Sequence, residues 1–368
     1  MLNRKVIVIS NVNELSAALR CRVLAPLATV LRGNEGRFSK WFFYSAETTK
    51  TIQTLSLSSL PILFFLLLKD CIFFLKNFFL FKGKTDIVIV KNYILPLFGG
   101  RIEKIIASQL NPKYIIYDID DAIYLNSKTK SNRYFRWMRN AKSKVAFWIK
   151  EADYVMCSNK FIWADLQGLC PDVLSKPHSL TITFPPNYIY FNCASDIRGC
   201  KESLVTKYVW LGSPHTQDNL ALWKDWIVFL SCQEDVRVEL VGVSEDFDMF
   251  EDNDKILKTR WSIDNEKRAL RESHFGLNPL VDNIFESRKS AYKVIQYFHA
   301  GVIPIVSDVG INMDLIRDVG GYTINDFKSK WRKLSCFDID LSLLLYTKSK
   351  DFSLDATIKN YQNIFDSL

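Results

Sequence analysis

The sequence has few of the residues that build metal centres. It holds four histidines among 368 residues, and none of its eight cysteines stands in a C-x-x-C pair. Zinc sites use closely spaced cysteines and histidines, so the pattern argues against one. The opening Met-Leu-Asn-Arg-Lys turns polar again by Asn11, which predicts no secretory signal. We therefore expect reduced thiols and a cytoplasmic location.

The composition is that of a globular protein with a basic excess. Hydrophobic residues make up 48% of the chain and charged residues 24%, which is enough apolar material for a sizeable core. The length predicts two domains rather than one. The net charge of +8 favours anionic partners such as phosphates, nucleotides, anionic lipid or nucleic acid.

Short apolar runs alternate with helical stretches along the chain, which predicts an α/β fold with parallel sheets. The pattern is interrupted at Thr183–Asn187, a proline-containing hinge, and then restarts. We predict two Rossmann-like, doubly wound domains over 1–184 and 185–345. Residues 346–368 form a C-terminal helix that could dock toward the first domain. Strands are predicted at 5–10, 41–44, 86–90, 114–117, 153–157, 208–212, 236–242, 274–279 and 302–308.

The stretch 286–308 combines a predicted helix with a buried strand. Apolar residues from Ala291 to Phe298 recur at helical spacing and predict a core-facing stripe. Lys289, Lys293 and Gln296 recur on another side of the same predicted helix. Two cations near a helix N-terminus suit a phosphorylated ligand. A solvated surface helix is the alternative.

Two further segments suggest a surface for lipid. Residues 60–68 are nine apolar residues or prolines in a row, but Lys69, Asp70 and Lys76 argue against a span by 60–81. That segment is either a helix buried against the next strand or one resting in a bilayer interface. We favour an anionic membrane surface as partner, contacted by 60–81 and 128–150.

The segment 128–150 carries eight basic residues, no acidic residue, and interleaved Phe135, Trp137 and Trp148. Such a composition suits an anionic membrane surface on the inner face of the membrane. A solvated basic helix is the alternative. No nucleic-acid motif accompanies the basic residues, so we expect no nucleic-acid partner.

Three motifs carry a family resemblance. Residues 117–123 resemble a Tyr-Asp-hydrophobic-Asp-Asp element, and 209–214 resemble the start of a second domain. Residues 289–308 are similar to a Lys-Ser-x-x-Lys pattern that continues through Tyr-x-Ala-x-Gly to a strand. In this order and spacing the chain resembles the GT-B glycosyltransferases of the "glycosyl transferases group 1" type, a retaining, family 4-like group.

The resemblance implies two domains facing a central cleft and sugar transfer from a nucleotide-sugar donor. The implied acceptor is a lipid-linked or membrane-proximal glycan in polysaccharide or surface glycan biosynthesis. The implied mechanism is retaining, with no metal and no cofactor besides the donor substrate. The residues expected to contact the donor are Gly212, Ser213, Trp261, Lys289, Ser290, Lys293 and Gln296.

The sequence departs from the family pattern at several positions. Gln296 stands where the family has a glutamate that holds the ribose, and Arg288 stands where it has its first glutamate. Glu286 lies two residues earlier and is the candidate catalytic carboxylate. A nucleotide-sugar 2-epimerase and a non-catalytic scaffold that binds nucleotide sugars are therefore the alternative functions.

Asp118 and Asp120 are further catalytic candidates, because they follow a predicted first-domain strand. Three roles are open for these carboxylates. They cap a helix or stabilise the structure, they contact the acceptor or act as a base, or they hold a metal ion.

Overall fold

The computed structural model describes residues 4–32, 37–53, 57–83, 85–96, 98–125, 140–181, 190–214, 216–251 and 253–368. The chain divides into two compact units. Unit 1 comprises 1–186 together with 354–368, and unit 2 comprises 187–353. The predicted hinge Thr183–Asn187 lies outside the described residues, as does 128–139 of the basic segment.

Unit 1 contains, within its described residues, a six-stranded parallel sheet in the order β2-β1-β3-β4-β5-β6. Its central strands are runs of Val and Ile buried on both faces, as expected for a parallel sheet covered by helices. The strands are β1 (Val6–Ser10), β2 (Phe38–Phe42), β3 (Ile87–Lys91), β4 (Tyr114–Ile119), β5 (Tyr154–Cys157) and β6 (His178–Leu180). The helices are α1 (Ala17–Leu19), α2 (Ala25–Val30), α3 (Ala46–Gln53), α4 (Leu60–Phe81), α5 (Gly100–Leu110), α6 (Ala141–Glu151) and α7 (Lys160–Leu169).

Unit 2 repeats the architecture with a described six-stranded parallel sheet in the order β12-β11-β10-β7-β8-β9. The strands are β7 (Thr206–Leu211), β8 (Val236–Val241), β9 (Ile256–Thr259), β10 (Phe275–Asn278), β11 (Ile303–Val306) and β12 (Tyr322–Thr323). The helices are α8 (Ala194–Lys201), α9 (Lys224–Ser231), α10 (Ile263–Glu272), α11 (Tyr292–His299), α12 (Ile311–Asp318), α13 (Ile324–Ser329), α14 (Trp331–Leu334) and α15 (Ile339–Lys348). The predicted α/β class with two doubly wound parallel sheets is confirmed.

The last helix, α16 (Leu354–Ser367), belongs to unit 1 although it follows unit 2 in the chain. It contacts α2, and its Tyr361, Ile364 and Phe365 join the buried core beneath the unit 1 sheet. The Asn360 amide also donates hydrogen bonds to the hydroxyls of Ser179 and Thr181, beside β6. The apolar residues at helical spacing in the tail therefore form the packed side of a docked helix.

Two local features differ from the sequence-based expectation. Strands β6, β9 and β12 escaped prediction because they are short and lie at sheet edges, where the apolar signal is weak. The predicted helix over 286–301 begins as α11 only at Tyr292, since Ala291 adopts a left-handed conformation with φ 54°. Lys289 therefore lies in the segment before α11 and not on it.

The apolar segment 60–81 forms one helix, α4, and the helix is not buried. Its inward side packs on β2 through Phe74, whose ring centroid lies 4.5 Å from that of Trp41. Asp70 is also turned inward, where it accepts hydrogen bonds from the Ser45 N–H and the Thr48 hydroxyl. Of the two alternatives predicted for 60–81, the helix buried against the next strand is therefore wrong. Among the described residues no helix combines the length and apolarity that crossing a bilayer requires.

The outward side of α4 is a broad apolar surface. Ten large apolar side chains of this fully described helix are exposed to solvent, with Phe64, Phe65 and Phe79 each about two-thirds exposed. Such a surface is far beyond the scattered apolar residues of an ordinary protein exterior. The ten are Leu60, Ile62, Phe64, Phe65, Leu68, Ile72, Phe73, Leu75, Phe79 and Leu80.

Candidate functional site

Three chain segments meet at the carboxyl edge of the unit 2 sheet, just beyond β7, β8 and β9. The Gly212 N–H donates to the Val241 carbonyl and the Gly242 N–H donates to the Thr259 carbonyl, both at 2.9 Å. A Cβ on Gly242, which has φ 91°, would lie 2.3 Å from the Gly212 oxygen and 3.4 Å from Trp261 Cβ. Glycine is thus required where these backbones approach each other. Doubly wound sheets bind ligands at this edge.

Lys293, near the start of α11, lies against the same edge. Its Nζ is 4.8 Å from the ring centroid of Trp210, the residue before the last of β7. A Cβ on Gly212 would lie 1.9 Å from an atom of that same ring. Burial, and next the charge of Lys289, lower the pKa of Lys293 to about 7. A negatively charged ligand beside Lys293 would therefore stabilise the protonated form of its side chain.

The segment before α11 brings a second cation and a carboxylate. Lys289 Nζ lies 2.9 Å from Glu286 Oε2. The segment packs closely on Gly310, because a Cβ there would lie 2.3 Å from the Ser287 carbonyl oxygen. Ser290 lies between Lys289 and the left-handed Ala291. Glu286, Lys289 and Lys293 form one electrostatic group, since the charges of the first two both act on the pKa of Lys293.

Gln296 and Trp261 are joined through a residue that sequence reasoning missed. The Gln296 amide donates to Glu266 Oε1 at 3.0 Å, and the Trp261 indole N–H donates to Glu266 Oε2 at 2.8 Å. Burial of Glu266 raises the pKa of its carboxyl group, against the hydrogen bonds from Trp261 and Gln296. The only sequence signal for Glu266 was an acidic residue in the first turn of a predicted helix, which is a common position.

Ser213 lies directly beyond Gly212 in a tight turn. Its N–H donates to the Thr216 hydroxyl at 3.2 Å, and that hydroxyl in turn contacts the Ser213 carbonyl oxygen. The structure thus brings together, in unit 2, a set of predicted donor contacts around the carboxyl edge of one sheet. The positions are Gly212, Ser213, Trp261, Lys293 and Gln296, with Lys289, Ser290 and Glu286 in the segment before α11.

Asp118 and Asp120 lie at the corresponding edge of the unit 1 sheet, in a buried ionic cluster with Lys91 and Arg22. Lys91 Nζ is 2.8 Å from Asp118 Oδ2 and also pairs with Asp120. Arg22 Nε lies 3.2 Å from both carboxylate oxygens of Asp118. Burial alone would raise the pKa of Asp118, but the charges of Arg22 and Lys91 outweigh it and lower the pKa.

This geometry favours the structural role for the two aspartates. Asp118 and Lys91 are fully buried, and Asp120 is 6% exposed. Arg22 reaches the cluster from a π-helical turn, Arg20–Leu24, between α1 and α2. Within the described part of the chain, no group of three or more acidic, histidine or cysteine side chains is placed to hold a metal ion.

Comparison with known proteins identifies the fold. Neither a protein-family model nor a curated protein matches the sequence. Among solved structures, HepE from Anabaena in complex with UDP matches with a TM-score of 0.63 at 9% identity, over 99% of this chain and 100% of HepE. The HepE complex with UDP-glucose has a TM-score of 0.59 at 10% identity, over 99% and 100%.

A third solved structure gives the same result. WaaG, a glycosyltransferase involved in lipopolysaccharide biosynthesis, matches with a TM-score of 0.59 at 12% identity, over 98% of this chain and 99% of WaaG. Identities this low are evidence for architecture alone. The chain has the GT-B fold, and the fold prediction made from its motifs is confirmed.

Proposed function

We propose that the protein is a glycosyltransferase that binds a nucleotide-sugar donor on unit 2. The observation that carries the proposal is Lys293, a partly buried cation that lies 4.8 Å from the Trp210 ring centroid at the carboxyl edge of a doubly wound sheet. Among the described residues no carboxylate lies within salt-bridge distance of Lys293, and such a cation suits the diphosphate of a nucleotide-sugar donor. The likeness to HepE, solved with UDP and with UDP-glucose, supports this class of ligand.

The chemistry we propose needs charge stabilisation at the leaving group. Cleavage of the sugar–phosphate bond leaves negative charge on the diphosphate, and Lys293 and Lys289 would stabilise that charge without a metal ion. Ser290 and Ser213 would add hydrogen bonds to the same phosphates. Glu286, held by Lys289 at 2.9 Å, is the carboxylate we assign to the sugar side of the site. Retention of configuration is part of this proposal and follows from the family resemblance.

A transfer assay tests the proposal. The protein is incubated with membrane extract and a panel of labelled nucleotide sugars, and label in the glycan fraction is measured. We expect transfer from one donor and its loss in Lys293→Met. Lys328→Met is the matched control, because Lys328 also lies over a tryptophan ring of unit 2, at 5.7 Å from the Trp226 centroid.

Two outcomes of that assay would overturn the proposal. A donor inverted at its sugar C2 with no transfer would assign the chain to the 2-epimerases. Donor binding with no turnover of any donor would assign it to the non-catalytic scaffolds.

We further propose a lipid-linked glycan acceptor in polysaccharide or surface glycan biosynthesis, with α4 lying in the plane of a membrane interface on the cytoplasmic side. The exposed side of α4 is apolar, and its only acidic residue, Asp70, is 3% exposed. The cations of the helix, Lys69 and Lys76, are both exposed. An apolar face bordered by lysines suits an anionic bilayer surface, since the lysine stems can extend to the headgroups. The eight cysteines, all within the described residues, form no disulfide.

Sedimentation with liposomes tests the membrane part. We expect the protein to sediment with phosphatidylcholine vesicles that contain phosphatidylserine, and binding to fall in the variant Phe64→Ser/Phe79→Ser. The matched control is Leu344→Ser, which removes an exposed apolar side chain of unit 2. Unchanged sedimentation of the double variant would exclude α4 as the membrane surface. A stable dimer that the double variant abolishes would assign α4 to a contact between two copies of the chain.

A further inference from the structure

The exposed apolar side chains of unit 1 do not end with α4. In the neighbouring helix α5, Ile102 is 36% and Ile105 is 54% exposed, and their spacing of three residues puts them on the same side of the helix. Phe98, shortly before α5, is 56% exposed. The opposite side of α5 carries Ile106 and Leu110, which are both buried. Helix α5 therefore has one packed side and one side that exposes apolar residues to solvent.

Helices α4, α5 and α6 form one layer on one face of the unit 1 sheet. The connections from β2 to β3, from β3 to β4 and from β4 to β5 all step in the same direction across the sheet. Because such crossovers are right-handed, their helices lie on the same face, and α2, whose connection from β1 to β2 steps the other way, lies on the opposite face. Helix α5 contacts both α4 and α6. The outward sides of α4 and α5 are therefore neighbours.

The outward side of this layer carries mostly positive charge. Its exposed charged residues are six cations and one carboxylate, Glu151. The other acidic residues of the three helices, Asp70 and Glu103, are buried, and each accepts a hydrogen bond from a backbone N–H. The six cations are Lys69, Lys76, Arg101, Lys104, Lys142 and Lys150. Within the described residues only Lys69 among them has an ion pair, with Glu47. An apolar surface surrounded by such cations is complementary to an anionic bilayer.

Phe98 lies between the end of β3 and the start of α5, and therefore at the carboxyl edge of the sheet. Its φ of 70° is in the left-handed region, which is an outlier for a bulky side chain. The start of α5 is packed directly on α6, because the Gly100 N–H donates to the Ser143 hydroxyl at 3.1 Å and a Cβ on Gly100 would lie 2.7 Å from the Ser143 carbonyl oxygen. The chain thus keeps a strained backbone at a residue whose ring is exposed. Strain of this kind concentrates at functional positions.

We propose that α5 and Phe98 join α4 in one bilayer-contacting surface, bordered by the cations of α6, and that this surface reaches the carboxyl edge of the unit 1 sheet. The inference rests on the proposed membrane interface and adds its orientation. Contact through α4 alone would leave unit 1 free to rotate about the helix axis, whereas two adjacent helices and Phe98 define a plane. The ligand-binding edge of the sheet then borders the headgroups, where a lipid-linked acceptor presents its glycan.

The test separates the apolar contribution of α5 from its charge. Partition coefficients of the full-length chain are measured by sedimentation with phosphatidylcholine vesicles, with and without phosphatidylserine. We expect Ile102→Ser/Ile105→Ser to lower the coefficient about 10-fold on both kinds of vesicle, because less apolar surface is buried. We expect Arg101→Gln/Lys104→Gln to lower it about 30-fold, or about 2 kcal/mol, only when phosphatidylserine is present.

Matched controls change the same residue types in unit 2. Leu204→Ser/Leu257→Ser removes two apolar side chains that are 96% and 54% exposed. Lys224→Gln/Lys333→Gln removes two exposed cations. We expect both control variants to keep the partition coefficients of the wild type, since neither lies on the proposed surface.

Variants of Phe98 test the orientation. Phe98→Gly should lower the partition coefficient about 5-fold without loss of stability in urea unfolding, because glycine adopts a φ of 70° freely. A purely structural role of the ring would instead lower stability and leave the partition coefficient unchanged. Phe98→Trp should keep the coefficient of the wild type, since tryptophan is favoured at membrane interfaces.

Other results would overturn the inference. Unchanged binding of Ile102→Ser/Ile105→Ser, with loss of binding in Phe64→Ser/Phe79→Ser, would remove α5 from the surface while the proposed membrane contact of α4 stands. An unchanged coefficient in Phe98→Gly would separate the carboxyl edge from the bilayer. A dimer that Ile102→Ser/Ile105→Ser dissociates, with no vesicle binding, would assign the layer to a contact between two copies of the chain. If the wild type binds neither kind of vesicle, the proposed membrane contact fails together with the inference.

Discussion

The carboxyl edges of the two sheets occupy equivalent positions in two similar units, yet their charges are arranged in opposite ways. At the unit 1 edge, Lys91 and Arg22 are matched by Asp118 and Asp120 in a cluster that is almost entirely buried. At the unit 2 edge, Lys293 has the ring of Trp210 beside it. In the described residues no carboxylate lies within salt-bridge distance of Lys293.

The difference teaches that a charged residue after a parallel strand is not by itself a binding site. Two cations and two carboxylates in unit 1 neutralise one another, so the cluster has little charge to offer a ligand. Lys293 in unit 2 is desolvated and repelled by Lys289, so an anionic ligand would supply the negative charge that stabilises its protonated form. We call the unit 1 edge, where the charges pair with one another, the closed edge, and the unit 2 edge at Lys293 the open edge.

The largest expected effect is on stability, from removing the cation at the closed edge. Lys91→Met leaves the buried Asp118 and Asp120 with only Arg22, and we expect the free energy of unfolding to fall by about 3–5 kcal/mol. Lys293→Met is the matched change at the open edge and should leave stability unchanged or raise it. Urea unfolding of both variants measures the contrast. Equal losses in the two variants would show that the edges do not differ in this way.

The reason for the opposite expectation at Lys293 is its pKa. Burial lowers this pKa to about 7 in the folded protein, below the value of about 10.5 in an unfolded chain. A lysine whose pKa is lowered by folding destabilises the folded state when the pH is below the pKa of the unfolded chain, because the unfolded chain binds the proton more tightly. The penalty grows as the pH falls from about 10.5 to about 7, and methionine removes it.

A smaller effect is expected on ligand affinity, from removing the cation at the open edge. Lys293→Met should weaken binding of the preferred nucleotide sugar by about 10- to 100-fold, the range of a charge-assisted hydrogen bond of about 1.5–3 kcal/mol. Calorimetric titration measures the change, with Lys328→Met as the control that keeps the site intact. Undiminished affinity in Lys293→Met would remove this lysine from the donor site.

The smallest expected effect is a pH dependence of that affinity. A nucleotide sugar has no phosphate group that titrates near neutrality, whereas free Lys293 loses its proton above a pH of about 7. Affinity should therefore fall as the pH rises from about 6 to about 9, by less in total than in Lys293→Met, because deprotonation removes only the charge of the side chain. Lys293→Arg keeps its charge throughout this range and should give a flat profile. A flat profile in the wild type would mean that the proton on Lys293 does not affect binding.

Much of the fold could be predicted from local pattern. Runs such as 6–10 and 87–91 are apolar on both faces of a strand, and this property belongs to the segment itself. The edge strands β6, β9 and β12 could not be predicted, because their hydrogen bonds to a neighbour define them more than their composition does. The helix predicted to begin at 286 begins as α11 only at Tyr292, since the left-handed Ala291 carries no sequence signal.

The candidate site could be predicted only in part. Lys293 and Gln296 stood out by their spacing, and the structure places both in unit 2 beside β7 and α10. Glu266 could not be found, because it lies 30 residues from Gln296 in the chain and meets it only when two helices pack. The pairing of Arg22 with Asp118, 96 residues apart, was hidden for the same reason.

The sequence by itself determined the α/β class, the two-unit organisation and the motifs that resemble GT-B proteins, because these depend on periodicity and on short local spacings. Only the tertiary structure decided which charged side chains form internal ion pairs and which remain available to a ligand. It also decided that the apolar residues of α4 face outward, although their composition suited a buried helix equally well. Both decisions depend on contacts between segments far apart in the chain, and no local pattern encodes them.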